Sequence, residues 1–201
     1  MPNGTILAHL GFFVRRGLLS PELCRLIRGE MAAATQVPAM VRPVGEASGV
    51  VDQRTRRTGI ASVSASTRAI MEDHLRATKP ALEHHFDVQL SGWQRPRFYV
   101  YEEGDFFTPH RDRDADDPAA PDWIKARQVS VSVFLNDEKG GADSESYGGG
   151  CMVFYGRRGD GTFAIPLESE QGMLVAFRSD WIHEIRPVTS GRRYSIVTWF
   201  H

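Results

Sequence analysis

The sequence is short of cysteine. It has two, Cys24 and Cys151, too few for a disulfide framework. One falls in an apolar helical pattern and the other in a strand pattern, so both read as reduced core residues. It also lacks a surplus of charge: 24 Lys and Arg stand against 25 Asp and Glu, which argues against a dedicated nucleic-acid binder. No apolar run approaches the ~20 residues of a membrane span. The early run Ile6–Val14 carries His9, has no basic lead-in and is followed by no small-residue cleavage site, so it does not read as a secretory leader. These absences lead to the expectation of a cytoplasmic protein with no membrane or nucleic-acid partner. Nothing in them sets the oligomeric state.

What remains is ordinary globular material, 41% hydrophobic and 24% charged over 201 residues. That length predicts a single domain, 1–201. Its N-terminal part, about 1–92, reads as helical. Ser20 is suited to cap a helix, Pro21 to open it and Glu22 to face its positive end, with Leu23, Leu26, Ile27 and Met31 at helical spacing. Residues 36–67 have no strong period and read as a long loop with short strands, a candidate lid. A second helix is expected over 67–86, kinked or split at Pro80.

After Gly92 short strand patterns dominate: Arg97–Glu102, Arg127–Leu135, Cys151–Tyr155, Thr162–Pro166, Met173–Phe177 and Tyr194–Phe200. Turn residues separate them, and Lys139–Gly150 reads as a Gly-rich flexible connection. The class expected is mainly β with flanking helices, the helices packed on a barrel or sandwich of about 93–201.

One cluster carries chemistry. In Pro109-His110-Arg111-Asp112, strand alternation puts His110 and Asp112 on one face, where both can grip one metal ion. Of the other histidines, His183 stands between two strong strand patterns. Two histidines and a carboxylate make the facial triad of non-haem Fe(II) oxygenases. A calcium loop starting at Asp112 fails, since Asp117 takes the place of its glycine and Trp123 that of its bidentate Glu. Ten residues after His183 comes Arg193, whose guanidinium suits a carboxylate. Ser195 shares its face, and Arg192 points the other way as a surface charge. The basic run Arg54, Arg56 and Arg57 reads as a solvated loop. Arg97 shares a face with Tyr99 and Tyr101 but reads as a solvated charge at a strand edge, and Trp181 as packing.

The stretch from Arg97 through Tyr101, Gly104 and Pro109 to His110 and Asp112 resembles the first metal-binding region of the Fe(II)/2-oxoglutarate-dependent dioxygenases, prolyl 4-hydroxylase-like branch. Ser132–Asn136, Gly148–Gly150, Gly172–Phe177 and His183–Tyr194 are similar to that family's next landmarks, in order. The resemblance implies a double-stranded β-helix, or cupin-like jelly roll. It implies Fe(II) held by His110, Asp112 and His183, 2-oxoglutarate as co-substrate paired with Arg193, and dioxygen as oxidant, with ascorbate as a supporting reductant. It implies hydroxylation of an unactivated C–H bond in a small molecule or a peptidyl residue, with release of succinate and CO2. Tyr101 stands where the family often has a tyrosine facing the co-substrate, and Ser195 can add a hydroxyl. Phe107 and Phe134 occupy places where relatives often carry a tyrosine. Asp112 is a carboxylate, which leaves no place on the metal for a halide and disfavours a halogenase. The rival readings are a non-catalytic jelly-roll binding module and a zinc-dependent hydrolase on the same triad. The first expects a lost ligand or arginine, and the second leaves Arg193 and Ser195 unexplained.

Overall fold

A computed structural model describes residues 7, 9–138, 145–158 and 160–201. Half of the Gly-rich connection expected at Lys139–Gly150, residues 139–144, lies outside the described residues. The chain begins with a short strand β1 (Phe13–Arg15) and helix α1 (Pro21–Ala33). Ser20 caps α1, its side chain accepting the Leu23 N–H, and Pro21 takes the first turn, as its missing N–H allows. Helix α2 (Ala65–Phe86) runs unbroken across Pro80, so the chain is not split there. Proline there removes the single ladder bond to the Arg76 carbonyl.

Residues 36–67 carry the expected short strands. They supply β2 (Gln36–Pro38), β3 (Arg56–Arg57) and β4 (Gly59–Ala61), and these pair into two different sheets. Strands of two or three residues are too short to show a period, so the sequence marks neither their bounds nor their register. The N-terminal part is therefore helical with four short strands woven into the sheets.

The remaining elements are β5 (Arg97–Tyr101), β6 (Phe106–His110), a one-turn helix α3 (Asp122–Lys125), β7 (Val129–Phe134), β8 (Gly148–Gly149), β9 (Met152–Arg158), β10 (Gly161–Leu167), β11 (Leu174–Arg178), β12 (Ile182–Ile185), β13 (Val188–Ser190) and β14 (Arg193–Phe200). A seven-stranded sheet has the order β1-β11-β7-β14-β5-β4-β2, and a five-stranded sheet the order β10-β9-β12-β6-β3. Every pairing between named strands is antiparallel. This is the expected mainly-β jelly-roll architecture with helices laid against it.

Alternation explains how one sheet serves two environments. In β7, Val129, Val131 and Val133 join Ile196 of β14 and the buried faces of α1 and α2 (Ile27, Met31, Met71, Leu75) in one apolar core. The intervening Ser132 and Phe134 face the space between the sheets, as do Tyr99 and Tyr101 of β5. The helices thus cover one face of the large sheet, and the other is free to line a cavity.

Candidate active site

The cavity between the sheets collects the sequence-predicted residues. His110 ends β6, His183 sits in β12, and the two are direct cross-strand partners. Asp112 arrives differently from the expected strand alternation: β6 ends at His110, and Asp112 lies in the bend beyond. Its backbone N–H donates to the Ser179 carbonyl at 3.0 Å, and its carbonyl accepts from the Arg127 guanidinium at 2.9 Å. Two long-range bonds therefore aim this carboxylate in place of a ladder. Arg127 and Ser179 carry no local signal that sequence reasoning could use.

One carboxylate oxygen lies 3.7 Å from His110 Nε2 and the other 3.6 Å from His183 Nε2. One donor atom from each of the three residues falls within 4.8 Å of the others. Each imidazole is oriented through its other nitrogen. His110 Nδ1 lies 2.9 Å from the Thr108 carbonyl and His183 Nδ1 lies 3.0 Å from the Trp181 carbonyl. Those bonds assign Nδ1 as the protonated nitrogen and leave the Nε2 lone pairs convergent. Burial, helped by His183, pushes the His110 imidazole down to about 3, so it is neutral at physiological pH, the form a metal takes. Burial opposes ionisation of Asp112, but His183, His110 and Arg127 outweigh it and keep the carboxyl below its ordinary range. Convergent imidazole, imidazole and carboxylate donors fit a divalent transition metal that keeps open positions.

Arg193 opens β14 and is 2% exposed. Its Nη1 donates to Ser195 Oγ at 3.1 Å, and its Nε has no partner. Tyr101 and Phe134 flank the guanidinium at 5.1 and 5.3 Å. Half-buried Glu138 is nearby; burial raises its carboxyl above the ordinary range, against the pull of Arg193. Arg192 faces outward and pairs with Glu102 at 2.7 Å. Arg193, Ser195 and Tyr101 line the same cavity as the triad, so a ligand carboxylate at Arg193 fits the donors present. Phe107 stacks on His110, with centroids 3.5 Å apart. Trp181 packs on Phe12 at 4.9 Å, as expected.

Two basic residues depart from the sequence reading. Arg56, expected in a solvated loop, is 7% exposed and lines the cavity, because β3 pairs with β6 and turns it inward. Arg97 is half-buried over the Trp199 ring at 5.3 Å. The burial of Trp199, and the stacking of Arg127 on it at 3.8 Å, were not anticipated.

The sequence pattern of the 2OG-Fe(II) oxygenase superfamily matches residues 96–201, and the chain belongs to that family. Its members use Fe(II), 2-oxoglutarate and dioxygen. The chain is 29% identical over 104 residues to a PKHD-type hydroxylase of Shewanella baltica, across 52% of this chain and 41% of that protein. The match therefore spans less than half of that relative's length. Among solved structures, a Pseudomonas putida prolyl-4-hydroxylase superposes with a TM-score of 0.71 at 22% identity, covering 99% of this chain and 96% of the other. A Trichoplax adhaerens prolyl hydroxylase, solved with a hypoxia-inducible-factor peptide, superposes with a TM-score of 0.69 at 18% identity, covering 98% and 86%. These likenesses are of fold.

Proposed function

We propose that this chain is an Fe(II)- and 2-oxoglutarate-dependent dioxygenase that hydroxylates an unactivated C–H bond and releases succinate and CO2. His110, Asp112 and His183 are its metal ligands, and Arg193 with Ser195 and Tyr101 receives 2-oxoglutarate. The observation that carries this reading is a three-donor cluster sharing one cavity with a buried arginine whose Nε has no partner among the described residues. Bound there, Fe(II) supplies dioxygen activation coupled to decarboxylation of the keto acid.

The protein's own part is positional. The Thr108 and Trp181 carbonyls hold the imidazole tautomers, and the Arg127 guanidinium holds the backbone of Asp112. Arg193 fixes the far carboxylate of the co-substrate and so points its keto acid end toward the triad. Phe107, Met152, Ile185 and Val197 give the cavity an apolar wall that limits water beside a reactive oxidant. The substrate is a small molecule or a peptidyl residue, and residues 1–201 act as one domain. No described helix is long and apolar enough to cross a membrane, and two free thiols fit a reducing, cytoplasmic setting.

The test is incubation with Fe(II), ascorbate and 2-oxoglutarate, with succinate as the readout and a metabolite and peptide panel as co-reactants. Succinate that depends on iron and rises with one panel member is the expected result. Tight metal binding with no 2-oxoglutarate turnover supports a hydrolase instead, and neither metal nor co-substrate binding supports a non-catalytic module.

A further inference from the structure

Four buried side-chain N or O atoms lack a hydrogen-bond partner among the described residues: Arg56 Nε, Tyr99 Oη, Arg193 Nε and Trp199 Nε1. All four residues line one cavity. Each unmet group costs roughly 1–3 kcal/mol, so four facing one cavity mark a place that water or a bound ligand completes. Every one can donate, and three cannot accept. The missing ligands are therefore rich in acceptors. The 2-oxoglutarate reading uses Arg193 and leaves Arg56, Tyr99 and Trp199 unexplained.

Arg56 is built for a second anion. Its guanidinium lies 4.3 Å from the Tyr99 ring and 4.4 Å from the Phe107 ring. Contacts to two rings cover the faces of the planar group and leave its N–H edges to donate. The flanking arginines of the run are already neutralised, Arg54 by Asp52 at 3.3 Å and Arg57 by Asp105 at 3.6 Å. Arg56, between them in sequence, turns inward and forms no ion pair with a described carboxylate. Phe107 also stacks on His110, so whatever Arg56 holds sits beside the triad.

The charge balance points the same way. Arg56, Arg97, Arg127 and Arg193 surround Tyr99, Tyr101 and Trp199, against the triad carboxylate Asp112 and, near Arg193, Glu138. Fe(II) and the dianion of 2-oxoglutarate cancel one another, so the loaded site keeps its excess of guanidinium charge. Burial disfavours a Tyr99 phenolate, yet Arg56 and Arg97 hold the phenol below its ordinary range.

We infer that Arg56, with the Tyr99 hydroxyl, binds a carboxylate of the substrate to be hydroxylated, and so selects acidic substrates. This deepens the dioxygenase reading and rests on it. A free carboxylic acid and an acidic side chain within a peptide share that chemistry.

The experiment uses the full chain, anaerobic, loaded with Mn(II) and 2-oxoglutarate. Probes are the free amino acids, their C-terminal amides, and N-acetyl aspartate and glutamate amides. Binding is read by calorimetry and by Mn(II)-enhanced relaxation of probe protons. The expected result is binding of one or more acids near the metal, no binding of the matched amide, and an affinity loss of about ten- to a hundredfold in Arg56→Gln. Arg56→Lys recovers part of it, and both variants keep their affinity for Mn(II) and 2-oxoglutarate. Response from the acetylated probes alone assigns the carboxylate to a peptidyl side chain and upholds the inference. Acids and amides binding alike, no probe binding, an unaffected Arg56→Gln, or loss of 2-oxoglutarate with Arg56 overturns it. If the wild-type chain takes up neither Mn(II) nor 2-oxoglutarate, it is the dioxygenase reading that fails. The acid-against-amide comparison needs no variant, so it stands even if Arg56→Gln does not fold.

Discussion

Replacing Arg193 with alanine is the sharpest test of the co-substrate site, because its neighbour Arg192 is a built-in control. The two are adjacent in sequence, Arg193 opening β14 and Arg192 just before it, and they face opposite ways. Arg193 is 2% exposed, donates once to Ser195 and keeps an unpartnered Nε. Arg192 is exposed and paired with Glu102, an interaction worth about 0–1 kcal/mol. Removing one partner of a buried ion pair costs about 3–5 kcal/mol, or two to three and a half powers of ten in affinity. With Mn(II) present and 2-oxoglutarate at about 100 times its wild-type Kd, the ligand stabilises wild type by about 2.7 kcal/mol. If Arg193→Ala weakens binding about a thousandfold, the same ligand sits at about a tenth of Kd and contributes about 0.06 kcal/mol, a silent melt. Arg192→Ala should keep nearly the full shift. Arg193→Lys should be intermediate, keeping the charge and losing the fork. Mn(II) titration of Arg193→Ala should remain close to wild type, which separates lost co-substrate binding from a lost metal site. A full ligand shift in Arg193→Ala, or its disappearance in Arg192→Ala, would refute the inward assignment and with it the role given to Ser195.

Three further outcomes are expected. His183→Ala and Asp112→Ala should each weaken Mn(II) by at least about a hundredfold in a direct titration, more than loss of a supporting hydrogen bond achieves; unchanged affinity in either removes that residue from the metal site. Gly172→Ala should lose about 2–5 kcal/mol and lower Tm by roughly 5–15 °C, since φ is +77° and an added Cβ would lie 2.2 Å from the Leu19 carbonyl oxygen; an unchanged melt contradicts that geometry. The Asp117 carboxyl is held down to about 2 from 3.8, first by the Gly45 N–H and then by Arg42. A depressed carboxyl contributes stability that is complete above its ordinary pKa and lost as pH falls through the folded value. The Tm gap between wild type and Asp117→Asn should therefore be constant above about pH 4 and shrink toward pH 2, and a gap that widens in acid reverses the assignment.

The long strands were legible because their sequences alternate under two different demands. In Val-Ser-Val-Ser-Val-Phe of β7 one set of side chains packs on helices and the other faces the cavity, and that doubled burial is a strong periodic signal. The two cavity histidines, Asp112, Arg193 and Ser195 were legible for a related reason: the chemistry they suit needs them at fixed offsets in sequence, four of them on strands and Asp112 two residues past the end of β6, and fixed offsets survive in a one-dimensional reading. The geometry that places Asp112 was not legible. It is set by Ser179 and Arg127, 67 and 15 residues away in sequence, and no local pattern encodes which distant carbonyl or guanidinium will arrive.

Arg56 shows where such reading stops in physical terms. Within Arg54-Thr55-Arg56-Arg57, the three guanidinium groups are chemically identical, and composition alone makes a solvated loop the natural inference. Their environments are decided by two residues of backbone pairing, Arg56 with Phe107 and Arg57 with Phe106. A two-residue strand has no period, so the chain carries no mark of its register. Yet a slip of one residue would exchange the inward and outward side chains. It would bring Arg57, now paired with Asp105, into the cavity, and put Arg56 into solvent. Contacts outside the cavity oppose that slip, the exposed ion pairs by little each. Asp52 and Asp105 have partners outside the cavity, and the Thr108 N–H is bonded to the Thr55 carbonyl at 3.0 Å. These contacts neutralise the outward arginines and pin the strand, leaving the middle arginine as the charge that enters the cavity.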